Sequence, residues 1–199
     1  MWRKLWRKFL QGIMDRRPTK LYCVQGRPLF YRAYLFTFLG RVWYLHHYLR
    51  SDPDDRGWHD HPMRATALIL AGGYIEERVV GLGAAGLAIL SRPMRPGRIN
   101  KIDEHVFHRV VIPEHVIDDP WWCDSAKSWV TSWSLFISEY VPGKAWGFFS
   151  NVPRPDRKVP RLDGTATFKY EQAGLGIEDE APWWETAPNG RAVRQQGGV

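Results

Sequence analysis

The sequence predicts an all-β protein, an antiparallel sandwich or barrel with one short helix at its N-terminus. Three observations support this class. Short apolar segments recur between Gly, Pro and Asp turn signals, and no long helical pattern interrupts them. The chain carries 11 Trp, 8 Tyr and 9 Phe, which are residue types that favour strands. With 199 residues, 44% of them hydrophobic, it is long enough to bury one sizeable core.

Residues 1–20 are predicted to form a basic amphipathic helix. Apolar residues recur at helical spacing from Trp2 to Met14, and Arg17-Pro18 ends the segment. Basic residues occupy the other face: Arg3, Lys4, Arg7 and Lys8. Such a helix either lies on an anionic membrane surface or docks its apolar stripe on the β domain or on a second subunit. Docking is favoured over membrane contact, because most amphipathic helices pack in this way.

Residues 21–170 are predicted to form the β domain, and residues 171–199 a loosely ordered tail. The predicted strands are 21–39 (one bent strand or two), 41–49, 65–70, 74–80, 87–90, 98–102, 108–112, 129–141 and 145–149. Residues 113–128 are predicted to be irregular, in a loop long enough to act as a lid over a site. The tail has few aliphatic residues and therefore little to bury.

Composition excludes several function classes. The net charge of +7 fits anionic partners, but much of the excess lies at the N-terminus, so a merely soluble basic protein is favoured. Cys23 and Cys123 form no CxxC pair, which excludes a thiolate zinc site. No apolar run approaches the roughly 18 residues of a membrane span. The chain has no P-loop and no recognised nucleic-acid motif, so no specific nucleic-acid partner is expected.

The stretch around Trp58-His59-Asp60-His61-Pro62 predicts a metal site. His59 and His61 are two residues apart, so both imidazoles project from one face if the segment is extended. His108 lies at the head of a later apolar strand. Neutral imidazole nitrogens are common ligands of transition metals. The alternatives are a polar turn for the first two histidines and a core histidine for the third.

Further residues are candidates for the pocket or for the surroundings of the metal. His105 is either a fourth ligand or acid/base group, or a turn residue outside the domain. Only one of His46 and His47 can face the pocket, because adjacent strand residues point to opposite sides. Arg109 is either a clamp for a substrate anion or a solvated strand residue. The remaining candidates, which line the pocket or simply fill the core, are Thr66, Tyr74 and Trp133 together with His47.

The histidine pattern resembles that of the cupins, which are small jelly-roll metalloproteins. Their first motif has His-x-His, a Glu a few residues later, and a Gly after a short strand. His59, His61 and Gly73 match this motif. Where the Glu would fall, this chain has Thr66, or Ala65 if the spacing is one residue shorter.

The second cupin motif is matched in part. Gly97 and His108 fit its spacing, whereas Asp103 stands where Pro is common and His105 where Gly is common. The match covers about residues 40–150. The resemblance implies an antiparallel jelly-roll β-barrel with a metal centre at the three histidines.

A closer resemblance is to small cupin-like proteins of phages and prophages. It rests on the runs Trp58-His59-Asp60-His61-Pro62, Gly72-Gly73-Tyr74, His108-Arg109-Val110, Trp133-Ser134-Leu135 and Trp146-Gly147-Phe148. Most of those proteins are uncharacterised, so the resemblance implies a fold and a metal rather than a reaction. The expected location is the reducing cytoplasm of a bacterium or of a phage-infected host.

The missing Glu changes the expected chemistry. Three neutral imidazoles leave a divalent metal with its full charge and with open positions for water, dioxygen or substrate. This set resembles the thiol dioxygenase branch of the cupins, which uses iron. The expected cofactor is therefore one divalent transition metal, with iron favoured and with zinc, manganese, nickel and copper also compatible with imidazole ligands.

Three functions are compatible with these features. The favoured one is a metal-dependent, Fe(II) dioxygenase-like enzyme acting on a small molecule held in the barrel. The second is a non-catalytic module that binds a metal or a ligand. The third is a phage-type interaction protein that uses the basic helix. A homodimer would fit all three, because sheet edges and the N-terminal helix need cover.

Overall fold

The computed structural model describes residues 2–24, 26–52, 58–83, 86–112, 131–152, 167–175 and 183–197. Within these ranges it confirms an antiparallel all-β fold with a short N-terminal helix. Helix α1 spans Trp2–Met14 and helix α2 spans Gly190–Gly197. The strands are β1 Thr19–Val24, β2 Arg27–Phe38, β3 Arg41–Tyr48, β4 Trp58–His59, β5 Met63–Ala71, β6 Tyr74–Gly83, β7 Gly86–Met94, β8 Ile99–Ile102, β9 His108–Val111, β10 Ser132–Tyr140, β11 Ala145–Val152 and β12 Thr167–Leu175. The predicted lid, residues 113–128, lies outside the described residues.

The described strands form two six-stranded sheets. The first sheet has the order β1-β2-β3-β10-β5-β8, and the second has the order β12-β11-β4-β9-β6-β7. From β3 to β6 and again from β7 to β11, each strand lies in the opposite sheet from the one before it, which is the jelly-roll pattern. Neither of these sheets closes on itself, so the predicted jelly roll takes the form of a sandwich of two open sheets rather than a barrel.

One core cluster joins the two sheets. Ile69 of β5 and the partly buried Tyr48 of β3 pack against Tyr74, Met94 and Val110 of the second sheet. These residues follow the period-two alternation of their strands; in β5, for example, every second residue from Met63 to Ala71 is buried. This alternation also determines which side chains can reach the space between the sheets.

A second cluster lies on the outer face of the first sheet. Leu10 and Met14 of α1 and Val193 of α2 pack against strand residues that include Leu45 and Trp133. The two helices are also joined by an ion pair between Arg194 and Asp15 at 2.5 Å. Residues 183–197 thus include a packed helix where the sequence predicts a loose tail, because Val193 joins the core cluster and Arg194 pairs with Asp15.

Gly72 follows β5 in the predicted tight turn, and we expect its replacement by alanine to destabilise the fold strongly. Its φ of +69° is a left-handed conformation, and an added Cβ would overlap the carbonyl oxygen of Thr131. Gly97 provides the control, because its φ is +86° and a Cβ there meets nothing within 4 Å. Gly97→Ala should cost about 1–2 kcal/mol in unfolding free energy, and Gly72→Ala at least about 2 kcal/mol more. Equal losses in a urea titration would contradict the steric argument.

Candidate metal centre

Three imidazoles converge at the centre of the second sheet. His59 of β4 and His108 of β9 are direct cross-strand partners, and His61 follows two residues after His59. One ligand nitrogen from each ring lies within 4.8 Å of the other two. The closest pair is formed by Nε2 of His61 and Nε2 of His108, at 2.8 Å. The structure therefore brings together the three histidines that the sequence singles out.

Asp60 holds the segment between the two histidines. Its side chain points away from the cluster and is almost fully buried. One carboxylate oxygen accepts a hydrogen bond from Lys144 Nζ at 2.6 Å, and the other accepts one from the backbone N–H of Gly147 at 2.7 Å. Both partners lie in or next to β11, so Asp60 anchors the short strand β4 to its neighbour. This anchoring sets the direction in which His59 and His61 project.

Within the cluster, His61 is held as a neutral imidazole. Burial lowers the pKa of His61 well below its usual value, and the adjacent His59, His108, Arg32 and His46 lower it further. His61 is only half-buried by surface area because it faces a cavity, although protein surrounds it closely. A neutral ring has the lone pair that a metal needs.

The residues fit a metal ion. Two nitrogens bound to one ion at about 2.0–2.1 Å lie about 2.9–3.4 Å apart, depending on coordination geometry. The separation of 2.8 Å between His61 and His108 is close to that range. The three histidines could therefore hold one divalent ion with modest adjustment of their rings.

A buried carboxylate lies directly behind His108. Glu76 of β6 has no exposed surface, and its Oε1 is 3.2 Å from Nδ1 of His108, although the angle is poor for a hydrogen bond. Arg78 donates to both Glu76 oxygens, at 3.0 and 3.2 Å, and Asn100 Nδ2 donates to Oε1 at 2.7 Å. Burial raises the pKa of Glu76, but these contacts outweigh burial and leave the pKa below its usual value. An ionised carboxylate behind a metal-binding histidine orients the ring and increases its basicity.

The position of the missing cupin Glu is filled by small side chains. Ala65 and Ala67 of β5 are buried and point inwards, and Ala67 lines the cavity. Thr66, which the sequence places in the pocket, lies between them on the opposite face of the strand because of the alternation. No carboxylate ligand therefore comes from this part of β5.

The three rings open onto a cavity of about 60 Å³ between the sheets. Tyr74, which the sequence left as either a pocket or a core residue, is among the residues that line it. Asp52 also lines it, but one oxygen of its carboxylate accepts a hydrogen bond from the backbone N–H of Val110 at 2.6 Å. Of the pair His46 and His47, His46 faces the cavity. The first sheet also contributes residues that sequence reasoning did not select: Arg32, Ser134, Ala67 and Phe136.

Two candidates lie on the wrong face of the first sheet. Arg32, His46 and Ser134 are cross-strand partners and face the cavity. His47 and Trp133 form the adjacent cross-strand pair, so alternation turns them to the outer face. There they stack with ring centroids 3.9 Å apart, and burial lowers the pKa of His47 to about 3, with help from nearby Arg7 and Arg194.

Two further candidates do not line the cavity. The side chain of His105 is 78% exposed, and its nearest acidic neighbour is Glu104 at 3.9 Å. Arg109 donates to Glu77 Oε2 at 2.6 Å and lies over the ring of Trp58 at 4.8 Å. His105 thus takes the position of an exposed turn residue, and Arg109 takes part in a local ion pair.

No protein-family model matches the chain, and a search of curated proteins finds no match. Similar solved structures include Fe(II)-HppE with the alternative substrate (S)-1-HPP, at 15% identity and a TM-score of 0.44, over 64% of this chain and 57% of that one. A putative mannose-6-phosphate isomerase from Ralstonia eutropha JMP134 has 19% identity and a TM-score of 0.41, over 58% of this chain and 89% of that one. Recombinant oxalate oxidase in complex with glycolate has 13% identity and a TM-score of 0.35, over 51% and 43%. The match thus spans less than two-thirds of the HppE chain.

These similarities are too low to carry an argument about function. The class of the protein follows from its own strand order and site: it is a jelly-roll β-sandwich with a candidate three-histidine metal centre between its sheets.

Proposed function

We propose that this protein is a metal-dependent enzyme, Fe(II) dioxygenase-like, that acts on a small anionic molecule in the cavity. The observation that carries the proposal is the convergence of three imidazoles on a cavity whose opposite wall presents an arginine. His59, His61 and His108 would hold the metal. Iron is favoured, and zinc, manganese, nickel or copper would also suit imidazole ligands. A bound iron would supply redox chemistry with dioxygen, and a bound zinc would supply an acidified water.

The surroundings of Arg32 support an anionic ligand. Its Nε donates to Nε2 of His46 at 3.0 Å, and its Nη1 donates to the hydroxyl of Tyr22 at 3.2 Å. The guanidinium lies over the rings of Tyr22 and Tyr44, with distances of 4.9 and 5.1 Å to their centroids. None of the ion pairs found among the described residues involves Arg32.

A partly buried cation without a carboxylate favours an anionic ligand. Arginine stays charged at all physiological pH values, and its planar fork matches carboxylate geometry. His46 cannot supply a charge of its own, because burial and Arg32 lower its pKa well below the usual value. As an acceptor from Arg32, His46 instead fixes the guanidinium in place. A substrate carboxylate bound here would lie close to the metal ligands, since Arg32 lines the same cavity as the three histidines.

The remaining residues of the cavity limit the size of the ligand and the access of water to it. About 60 Å³ is room for about four or five water molecules. Phe30, Tyr48 and Phe136 contribute aromatic walls. A charged contact in such a site is strengthened by the low local dielectric. The expected substrate is therefore a short organic acid rather than a sugar or a peptide.

Metal content and anion binding test the proposal together. Tag-free protein is reconstituted with iron, zinc, manganese, nickel, copper and cobalt, and bound metal is measured by mass spectrometry. Acetate is then titrated into the cobalt form beside its neutral isostere acetamide, with the visible spectrum as the readout. Arg32→Met should keep the metal and lose at least about 10-fold in acetate affinity. Arg41→Met, which removes the same charge from an exposed pair with Glu139, should change neither.

The outcomes separate the candidate functions. Absence of stoichiometric metal under all conditions would overturn the enzyme proposal. Metal binding without a preference for acetate would retain the metal centre and reject the anion. Metal and anion binding without oxygen uptake by the iron form, across a panel of short carboxylic acids, would favour a binding module over an enzyme.

A further inference from the structure

Helix α1 has a large apolar surface that the fold leaves uncovered. Leu10 and Met14, in its C-terminal half, are buried against the first sheet. Four large side chains in the rest of the helix stay exposed: Trp2 at 81%, Leu5 at 51%, Trp6 at 42% and Phe9 at 56%. At 100° per residue these four fall on one face, and Trp6 and Phe9 stack at 5.3 Å. The helix therefore docks on the β domain, as the sequence favours, but only part of its apolar stripe is covered.

The helix is held firmly despite this exposure. Trp6 Nε1 donates to the backbone carbonyl of Leu70 at 2.9 Å, and Asp15 just beyond the helix pairs with Arg194. The exposed face is consequently a fixed feature of the surface.

The charges of α1 indicate the kind of surface that binds this face. Arg3, Lys4, Arg7 and Lys8 occupy the opposite side of the helix, and α1 contains no acidic residue. Arg16 and Arg17 follow directly and are exposed. Tryptophan and basic side chains are the residue types enriched where a helix lies in the headgroup region of a membrane. A self-association surface would not need this excess of one charge, which repels a second copy of the same helix.

We propose that α1 binds the protein peripherally to anionic membranes, with Trp2, Leu5 and Phe9 in the headgroup region and the basic residues against lipid phosphates. In the described part of the chain, neither helix has the length and hydropathy needed to cross a bilayer. The contact is therefore interfacial. It is independent of the metal centre, which lies between the sheets, whereas α1 packs on the outer face of the first sheet.

Vesicle flotation of the full-length protein tests this proposal. Vesicles of phosphatidylcholine alone are compared with vesicles that contain 30% phosphatidylserine. Binding to the anionic vesicles should be at least about 10-fold stronger and should fall sharply in 0.5 M salt. Phe9→Ser and the double change Lys4→Glu with Lys8→Glu should each reduce it at least about 10-fold. Phe38→Ser is the matched control, because Phe38 is 58% exposed on a different element and should have no effect.

Two results would overturn the proposal. One is equal, weak binding to both kinds of vesicle. The other is a dimer in light scattering that Phe9→Ser converts to a monomer while vesicle binding stays absent, which would assign the face to a second copy of the chain. Circular dichroism of each variant confirms that the β fold is retained, since none of the substituted side chains is buried.

Discussion

Replacing Glu76 with glutamine should destabilise the protein by about 3–5 kcal/mol, even before any metal is bound. Glu76 is fully buried, and Arg78, its ion-pair partner, is only 17% exposed. Glutamine offers one acceptor oxygen in place of two, so its NH2 group would face the donors of Arg78 or Asn100. The Arg78 guanidinium would keep only neutral acceptors, among them the oxygens of Asn100 and Lys101 at 2.7 and 2.5 Å. Breaking an ion pair whose carboxylate is fully buried is among the costliest single substitutions, because the Glu76 position has no exposed surface through which water could replace the lost interactions.

The same change should also weaken the metal centre. Without the carboxylate behind Nδ1 of His108, the ring loses both an orienting contact and an increase in basicity. Loss of such a partner typically lowers metal affinity by about 10–100-fold. Unfolding should be measured in the presence of chelator, so that the free energy of metal binding does not enter the stability value.

The neighbouring residue supplies the control. Glu77→Gln removes the same charge from the same strand, but Glu77 points to the other side and pairs with Arg109 at 2.6 Å. Both side chains of that pair are 19% exposed, so water compensates for part of the loss. The expected cost is about 1 kcal/mol, with unchanged metal affinity. If the two variants behaved alike, the role of Glu76 as a buried support for His108 would be rejected.

The alternation of strands explains how much of this molecule the sequence predicts. The β6 and β10 segments carry a local period-two pattern, and their predicted bounds agree with the structure within a few residues. The histidines are predictable for a similar reason. Two of them lie two residues apart, and the third stands at the head of a strand, so little tertiary information is needed. The local pattern thus suffices for the class of fold and for the three ligand candidates.

The surroundings of the cluster depend on contacts that are distant in sequence. Both faces of β3 are apolar, because α1 and α2 cover one and the cavity lies under the other. The hydrophobic pattern of β3 therefore does not predict whether His46 or His47 faces inwards. Glu76 is one of two adjacent acidic residues, and only its partner Asn100, 24 positions away, shows which one is buried. The position of Arg32 at the cavity can be recognised only when the pairing of β2 with β3 is known.

Alanine substitution of any of the three clustered histidines should abolish stoichiometric metal binding. His59, His61 and His108 each present one nitrogen to a common point, and no other described histidine does so. A two-histidine remnant lacks the ligand count of protein zinc or iron sites, so affinity should fall by at least about 100-fold for each variant. Bound metal after dialysis, measured by mass spectrometry against protein concentration, gives the result directly.

Thermal unfolding separates loss of the site from loss of the fold. In the wild-type protein a metal present at about 100 times its Kd should add about 2.7 kcal/mol to the unfolding free energy. That increment should vanish in His59→Ala, whereas the metal-free variant should unfold close to the metal-free wild type, because His59 is only partly buried. His105→Ala, which changes an exposed ring outside the cluster, should retain both the metal and the increment. Metal retained in His59→Ala, or lost in His105→Ala, would show that the convergence of the three rings is not the binding site.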